Sequence, residues 1–310
     1  MRFGTLGKSG IKVSAIGTGT WAMGGDFFGA IDEKQCIEAI VASLDAGVNL
    51  VDTAPVYGHG HSEELVGKAL KGRRQQVVLC TKCGLTAPGR NLTRKAIRME
   101  VDQSLARLQT DYIDLYQMHW PDPNTPVEES MQAMLDLKKE GKIRAIGVSN
   151  FDEELMRRCM AVGQLDTLQP QYSLLERQVE KSILPFCRQN GIGILSYGSL
   201  GAGMLTGKFK TPPQVEGSDK RAGFYPFFKE PLFSQALRLV SVLQEIAQEH
   251  DKPVAHVAIN WVSQQEGMST ALVGCKNPAQ AVQNAQAGDW DLSAQELERI
   301  DQALREIYGE

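Results

Sequence analysis

The chain has 310 residues, and 33 Lys and Arg against 37 Asp and Glu leave a net charge of −4 at pH 7, so no basic excess points to a nucleic-acid partner. With 42% hydrophobic and 23% charged residues, the composition is that of a globular chain able to bury a sizeable core, outside the disordered, collagenous and disulfide-dense classes. No apolar run reaches the roughly 18 residues of a membrane span, and Met1-Arg2-Phe3-Gly4 leads into polar, Gly-rich sequence with no secretory-leader pattern.

Phe3–Val13, with Gly7-Lys8-Ser9-Gly10 at its middle, predicts a hairpin. Short β-rich runs then begin near Ala15, Asn49, Val77, Tyr112, Ile143, Thr167, Gly193 and Thr270. Most follow one another at about 30 residues, the length of a strand, a crossover helix and their loops. Asp32 with Gln35 predicts a capped helix over 33–46 that Gly47 stops, Thr93 caps the helix carrying Ile97, Val101, Leu105 and Leu108, and Pro126 opens the one carrying Met131, Met134 and Leu137. The long gap before Thr270 holds an insertion, and from Gly201 to Pro231 it reads as a long ordered loop rich in Gly, Pro and Lys/Arg, with the aromatic run Phe224-Tyr225-Pro226-Phe227-Phe228. A helix over 278–287 follows the eighth strand, and Ser293 with Glu296 caps a terminal helix over 293–307. Eight strand-helix repeats predict an α/β fold, a (β/α)8 TIM barrel formed by residues 1–310 as one domain, with a hairpin under the bottom, a long loop after strand seven and an extra C-terminal helix.

In such a barrel the reactive groups sit at the C-terminal ends of the strands. Reading only those positions gives Thr20-Trp21, then Asp52 with Tyr57, Lys82, His119-Trp120, Ser149-Asn150, Gln171, Tyr197 and Gly274-Cys275-Lys276. Singly, each has a structural role open to it: Asp52 as a loop cap, Tyr57 as a turn neighbour of Gly58, Lys82 as a snorkelling strand-end lysine, His119 as a core histidine. An Asp, a Tyr, a Lys and a His converging on one rim favours catalysis.

Other motifs do not hold. Gly17-x-Gly19-x-x-Ala22 has dinucleotide-fingerprint spacing, but glycines follow where a helix must open. Cys80-x-x-Cys83 lacks a second pair, and His59 and His61 lack a third ligand, so no metal is expected. Gly147-x-Ser149-x-Phe151 lacks the last glycine of a hydrolase elbow. The six cysteines, in apolar or strand-like surroundings, suit free thiols in a reducing cytosol, which predicts a cytoplasmic protein.

The chain resembles the aldo-keto reductases over essentially its whole length. The resemblance rests on Asn49-Leu50-Val51-Asp52-Thr53-Ala54, Tyr57-Gly58-His59-Gly60-His61-Ser62-Glu63, Cys80-Thr81-Lys82, Arg107-Leu108 with Asp111-Tyr112-Ile113-Asp114-Leu115, Gly141 through Phe151, and Gly203-Met204-Leu205-Thr206-Gly207-Lys208. Pro121-Asp122 and Tyr172-Ser173-Leu174-Leu175-Glu176 are most similar to the bacterial branch with inositol-operon reductases. The resemblance implies catalysis by Asp52, Tyr57, Lys82 and His119. It implies NADPH/NADP+ held by Trp21, Ser149, Asn150, Gln171 and Tyr197 at the nicotinamide, by Leu200, Gly203, Lys208 and Arg221 over the phosphates, and by Gly274, Lys276, Gln280 and Asn284 at the adenosine. Two positions depart from the family pattern: Gly198-Ser199 stands where Ser or Ala and then Pro is usual, and Gly274-Cys275 replaces a Lys-Ser pair, leaving Lys276 as the cation for a 2′-phosphate.

The expected activity is reduction of a small aldehyde or ketone by hydride transfer, with Tyr57 as proton donor and its pKa pulled down by Lys82. Trp21, Phe27, Phe28, Trp120 and Phe151 are candidates for the substrate mouth. Oxidation of a sugar or polyol at the same site, or a regulatory role like that of channel β-subunits of this fold, are the alternatives. The expected partner is a small carbonyl compound, not nucleic acid or membrane, and homo-oligomerisation is left open.

Overall fold

The computed structural model describes residues 1–86, 89–214 and 217–309. In chain order its strands are β1 (Phe3–Thr5), β2 (Lys12–Ser14), β3 (Ile16–Gly19), β4 (Leu50–Asp52), β5 (Val78–Cys83), β6 (Leu85–Thr86), β7 (Gly89–Arg90), β8 (Ile113–Met118), β9 (Ile143–Ser149), β10 (Thr167–Gln169), β11 (Gly193–Ser196) and β12 (Met268–Gly274). The helices are α1 (Glu33–Asp45), α2 (His61–Ala69), α3 (Arg94–Leu108), α4 (Val127–Lys139), α5 (Glu153–Val162), α6 (Ile183–Asn190), α7 (Arg221–Phe224), α8 (Leu232–Glu249), α9 (Val254–Ser263), α10 (Pro278–Gln286) and α11 (Ala294–Tyr308). Eight parallel strands close in the order β3-β4-β5-β8-β9-β10-β11-β12, with β12 pairing back onto β3 through Ala271↔Ile16 to Gly274↔Gly19. This is the predicted (β/α)8 barrel.

The capping residues act as their spacing predicts. Asp32 accepts from Gln35 N, Thr93 from Ala96 N, and Ser293 and Glu296 complete a reciprocal box. Such caps each contribute about 1 kcal/mol. The Gln35 side chain turns to Glu38, so the first box is only half made. Helix α1 buries one stripe, Cys36, Ala39, Ile40 and Ser43, at the spacing of one helical face.

Strands β1 and β2 form the predicted antiparallel hairpin, and Leu6 and Val13 plug the barrel floor against Leu50, Leu115, Leu195 and Leu272. Gly7 permits the close seat: at φ 49°, a Cβ there would meet Asp166 O at 2.0 Å.

Two expectations change. Pro126 is the residue before α4, not inside its first turn. The segment 201–231 is not plain loop: it holds 3-10 turns at Gly201–Thr206 and Pro226–Phe228 and the single turn α7, while Val215 and Glu216 lie outside the described residues. Its aromatic run makes a core of its own, where Tyr225, Phe227 and Phe228 pack with Met204 and Phe233. All six cysteines are buried free thiols, and among the described residues no helix is long and apolar enough to cross a membrane.

Candidate active site

Parallel pairing brings the strand ends to one level. Gly19 is opposite Asp52, Asp52 opposite Cys80, and Lys82 opposite Gln117. Asp52 ends β4, Lys82 is the last residue but one of β5, His119 follows β8, and Tyr57 arrives on the turn between β4 and α2.

Lys82 is fully buried, and its ammonium spends its three protons on Asp52 Oδ1 at 2.7 Å, Thr53 O at 2.9 Å and Tyr57 Oη at 3.2 Å. Because Tyr57 Oη accepts from Lys82, the phenol's own hydrogen is left to point elsewhere. The second oxygen of Asp52 accepts from Gln169 Nε2 at 2.8 Å. A hydroxyl cluster supports the same backbone: Thr20 Oγ1 donates to Asp52 O at 2.9 Å, and Ser62 Oγ reaches Thr20 Oγ1 at 2.7 Å and Thr53 Oγ1 at 3.1 Å. His119 meets Tyr57 edge to face with ring centres 5.9 Å apart, and Trp21 lies nearly parallel to Tyr57 at 5.9 Å.

The electrostatics overturn one expectation. Burial raises the Tyr57 pKa to about 12, and the Lys82 charge offsets only part of that rise. Burial also opposes the Lys82 ammonium, yet Asp52 beside it holds its pKa above the ordinary lysine value. Burial, and then Lys82, push His119 well below its usual value, so its imidazole is neutral near pH 7. The site therefore presents a protonated phenol and a neutral imidazole to a cavity of about 830 Å³.

All thirteen residues expected at the cofactor line this cavity: Trp21, Ser149, Asn150, Gln171, Tyr197, Leu200, Gly203, Lys208, Arg221, Gly274, Lys276, Gln280 and Asn284. Asn150, in the left-handed region at φ 61°, donates to His119 O at 3.1 Å and Ser149 Oγ at 3.0 Å and accepts from Tyr197 Oη at 2.9 Å. Arg221 is paired with Asp219 and donates to Ala202 O at 3.0 Å. Burial above all, and then the nearby Arg221, push both Lys208 and Lys276 below the ordinary lysine value. Lys276 is not the free cation the sequence suggests. Its Nζ donates to Phe28 O at 2.6 Å, with Ala30 O at 3.2 Å and Gly29 O at 3.5 Å. Gln280 and Asn284 are likewise engaged, with Lys276 N and Gly274 O.

Of the mouth candidates, Trp21, Phe27, Phe28 and Trp120 line the cavity. Phe151 does not: the left-handed turn at Asn150 sends it into the core between helices and sheet, where it is 4% exposed. Gln169, Asp26, Phe224 and Tyr225 also line the cavity, though no motif in the sequence marks them for the site. Gln169 is the last residue of β10, so the rule that found Asp52 at the end of β4 points to it as well. Asp26 comes from a loop, and Phe224 and Tyr225 from the end of the single turn α7 and the residue after it, where spacing carries no signal.

Residues 15–305 match the Aldo/keto reductase family. The chain belongs to that family. It is 46% identical to the aldo-keto reductase YhdN of Bacillus subtilis, over 100% of this chain and 96% of that one. It is 37% identical to an NADH-specific methylglyoxal reductase of Escherichia coli, over 93% and 94%. A solved aldo/keto reductase of Klebsiella pneumoniae in complex with NADP and acetate superposes with a TM-score of 0.76 at 32% identity, over 96% and 93%. In this aldo/keto reductase the departure at Gly198-Ser199 is compensated by hydrogen bonds. Gly198 takes φ 74°, a conformation that Ser or Ala rarely adopts, and buried Ser199 ties the turn by donating to Leu272 O at 3.0 Å and meeting Ser196 Oγ at 3.2 Å.

Proposed function

We propose that this aldo/keto reductase converts an aldehyde or ketone to an alcohol with NADPH, Tyr57 delivering the proton. The observation that carries the reading is the 3.2 Å bond from Lys82 Nζ to Tyr57 Oη. It turns the phenol's hydrogen away from the lysine, beside His119 on the cavity wall. A carbonyl oxygen gaining negative charge there is met by a proton donor backed by an ammonium, and His119 orients that oxygen by a hydrogen bond.

NADPH, when bound, supplies the hydride from C4 of its nicotinamide. Trp21, Ser149, Asn150, Gln171 and Tyr197 would hold that ring, Leu200, Gly203, Lys208 and Arg221 the diphosphate, and Gly274, Lys276, Gln280 and Asn284 the adenosine. The residues fit such a group. Gly203 takes φ 95°, and a Cβ there would stand 3.2 Å from Lys208 Nζ and 3.4 Å from Arg221 Nη1, so glycine keeps the space beside those two cations open. The group of cations that includes Lys276 favours the cofactor with the extra phosphate. Pro121-Asp122 and Tyr172 through Glu176 support the further proposal that the protein belongs with bacterial reductases of inositol-operon type.

The test is oxidation of NADPH, followed by absorbance, against a panel of aldehydes and ketones. Turnover of at least one neutral aldehyde by the native protein, lost in Tyr57→Phe, is expected. Equal rates in native and Tyr57→Phe protein would overturn the assignment.

A further inference from the structure

Charge divides the lining of the cavity. Among the described residues its cations are Lys208, exposed Lys220, Arg221 and Lys276, all on the segment after β11 or just past β12. On the Tyr57 side the lining acids are Asp52 and Asp26. Asp52 is met by Lys82 at 2.7 Å. Asp26 has no such partner: Oδ2 accepts one backbone N–H, from Gly58 at 3.3 Å, and Oδ1 is buried without a hydrogen bond.

Two contacts hold Asp26 beside the proton donor. Gly58 follows Tyr57 in sequence, and the Asp26 loop is pressed so tightly on that turn that a Cβ on Gly24 would lie 2.9 Å from the Tyr57 carbonyl carbon. Asp26 is followed in the chain by the aromatic pair Phe27 and Phe28, which line the same cavity. Trp21 stacks on Phe27 at 4.7 Å and meets Phe28 edge-on at 5.1 Å, while Lys276 reaches only the backbone beyond, at Phe28–Ala30. Arg90 is exposed, lies over the Trp120 ring at 5.0 Å and is not part of the lining. His119 is neutral near pH 7.

We infer that Asp26 makes the substrate mouth reject anions, so that the site takes neutral or cationic carbonyl compounds and discriminates against those bearing a carboxylate or phosphate. The inference rests on the reading that carbonyls are reduced at Tyr57. A second negative charge entering an apolar cleft beside an uncompensated carboxylate is repelled at short range with little screening, and the discrimination comes from that repulsion. Aromatic walls favour the opposite sign, since ring faces attract cations.

The test is kcat/KM with NADPH for 4-carbamoylbenzaldehyde and 4-carboxybenzaldehyde, which share a shape and differ in charge, in native protein and in Asp26→Asn. The native protein is expected to favour the amide by about tenfold or more. Asp26→Asn is expected to bring the ratio to within about threefold, and Asp26→Glu to keep it. In the native protein alone, 4-(trimethylammonio)benzaldehyde should also outrun the carboxylate, which keeps the test open should Asp26→Asn not fold. A carboxylate preferred by the native protein, or a ratio unmoved in Asp26→Asn, overturns the role of Asp26. Absence of turnover for all three aldehydes overturns the carbonyl-reductase reading together with it.

Discussion

Gln169 donates to Asp52 Oδ2 at 2.8 Å across the mouth of the barrel, so the carboxylate that anchors Lys82 is itself held from the opposite wall. Leucine at position 169 would leave that oxygen buried without a donor. A loss of about 1–3 kcal/mol in urea unfolding is expected for Gln169→Leu, together with a lower kcat. Unchanged stability and rate would mean that the bond holds nothing in place.

Tyr57→Phe removes one hydroxyl and almost no volume. Turnover should fall by about 10²–10⁴ while the NADPH dissociation constant stays within about threefold of native. Single-turnover kinetics and fluorescence titration measure the two separately. A variant that loses cofactor binding instead would assign the residue to the wrong task.

The direction of each pKa shift sets the pH profile. Tyr57, raised to about 12, keeps its proton at neutral and mildly alkaline pH, and His119, pushed well below its usual value, is neutral throughout that range. The reductive kcat should therefore stay flat from about pH 7 to pH 9. Alcohol oxidation needs the tyrosinate as base, so its rate should climb with pH over the same interval. A descending limb near pH 8 in the reductive direction would show that another group supplies the proton.

Lys276→Ala tests the choice of cofactor. Its ammonium is bonded to the carbonyls of Phe28 and Ala30, so a phosphate must compete with them. NADPH affinity is expected to weaken about tenfold more than NADH affinity, the lower end for a lost charged hydrogen bond. Equal losses for both cofactors would make Lys276 a loop tether alone.

Hydrogen exchange tests the segment 201–231. Lys220 N donates to Phe27 O at 2.9 Å, and Phe28 bridges Asp219, so two loops meet along one side of the cavity. Added NADPH should slow exchange at Lys208, Arg221 and their neighbours. Exchange unaffected by the cofactor would exclude a clasp.

The strand ends were legible in the sequence because a barrel turns eight distant positions into one rim, and Asp52, Lys82 and His119 fall where each run stops. Gln169 is the last residue of β10, whereas the sequence alone points to Gln171 two residues on. Phe151 was misread because its path depends on the φ of 61° at Asn150, which spacing does not reveal. The Tyr57 pKa went the other way because the depth of burial is a tertiary property: the sequence names the lysine but not the desolvation that outweighs it. The occupation of Lys276 by Phe28 and Ala30 joins parts of the chain with no shared periodicity.

Closure of the barrel by β12 on β3 joins the last strand to the first one. Asp52 stands on one side of that seam, and Gly274 and Lys276 on the other. Recovery of cofactor binding during refolding should therefore lag behind the return of helical signal and coincide with the final docking step, because a chain stopped short of β12 has Asp52 in place but lacks Gly274 and Lys276.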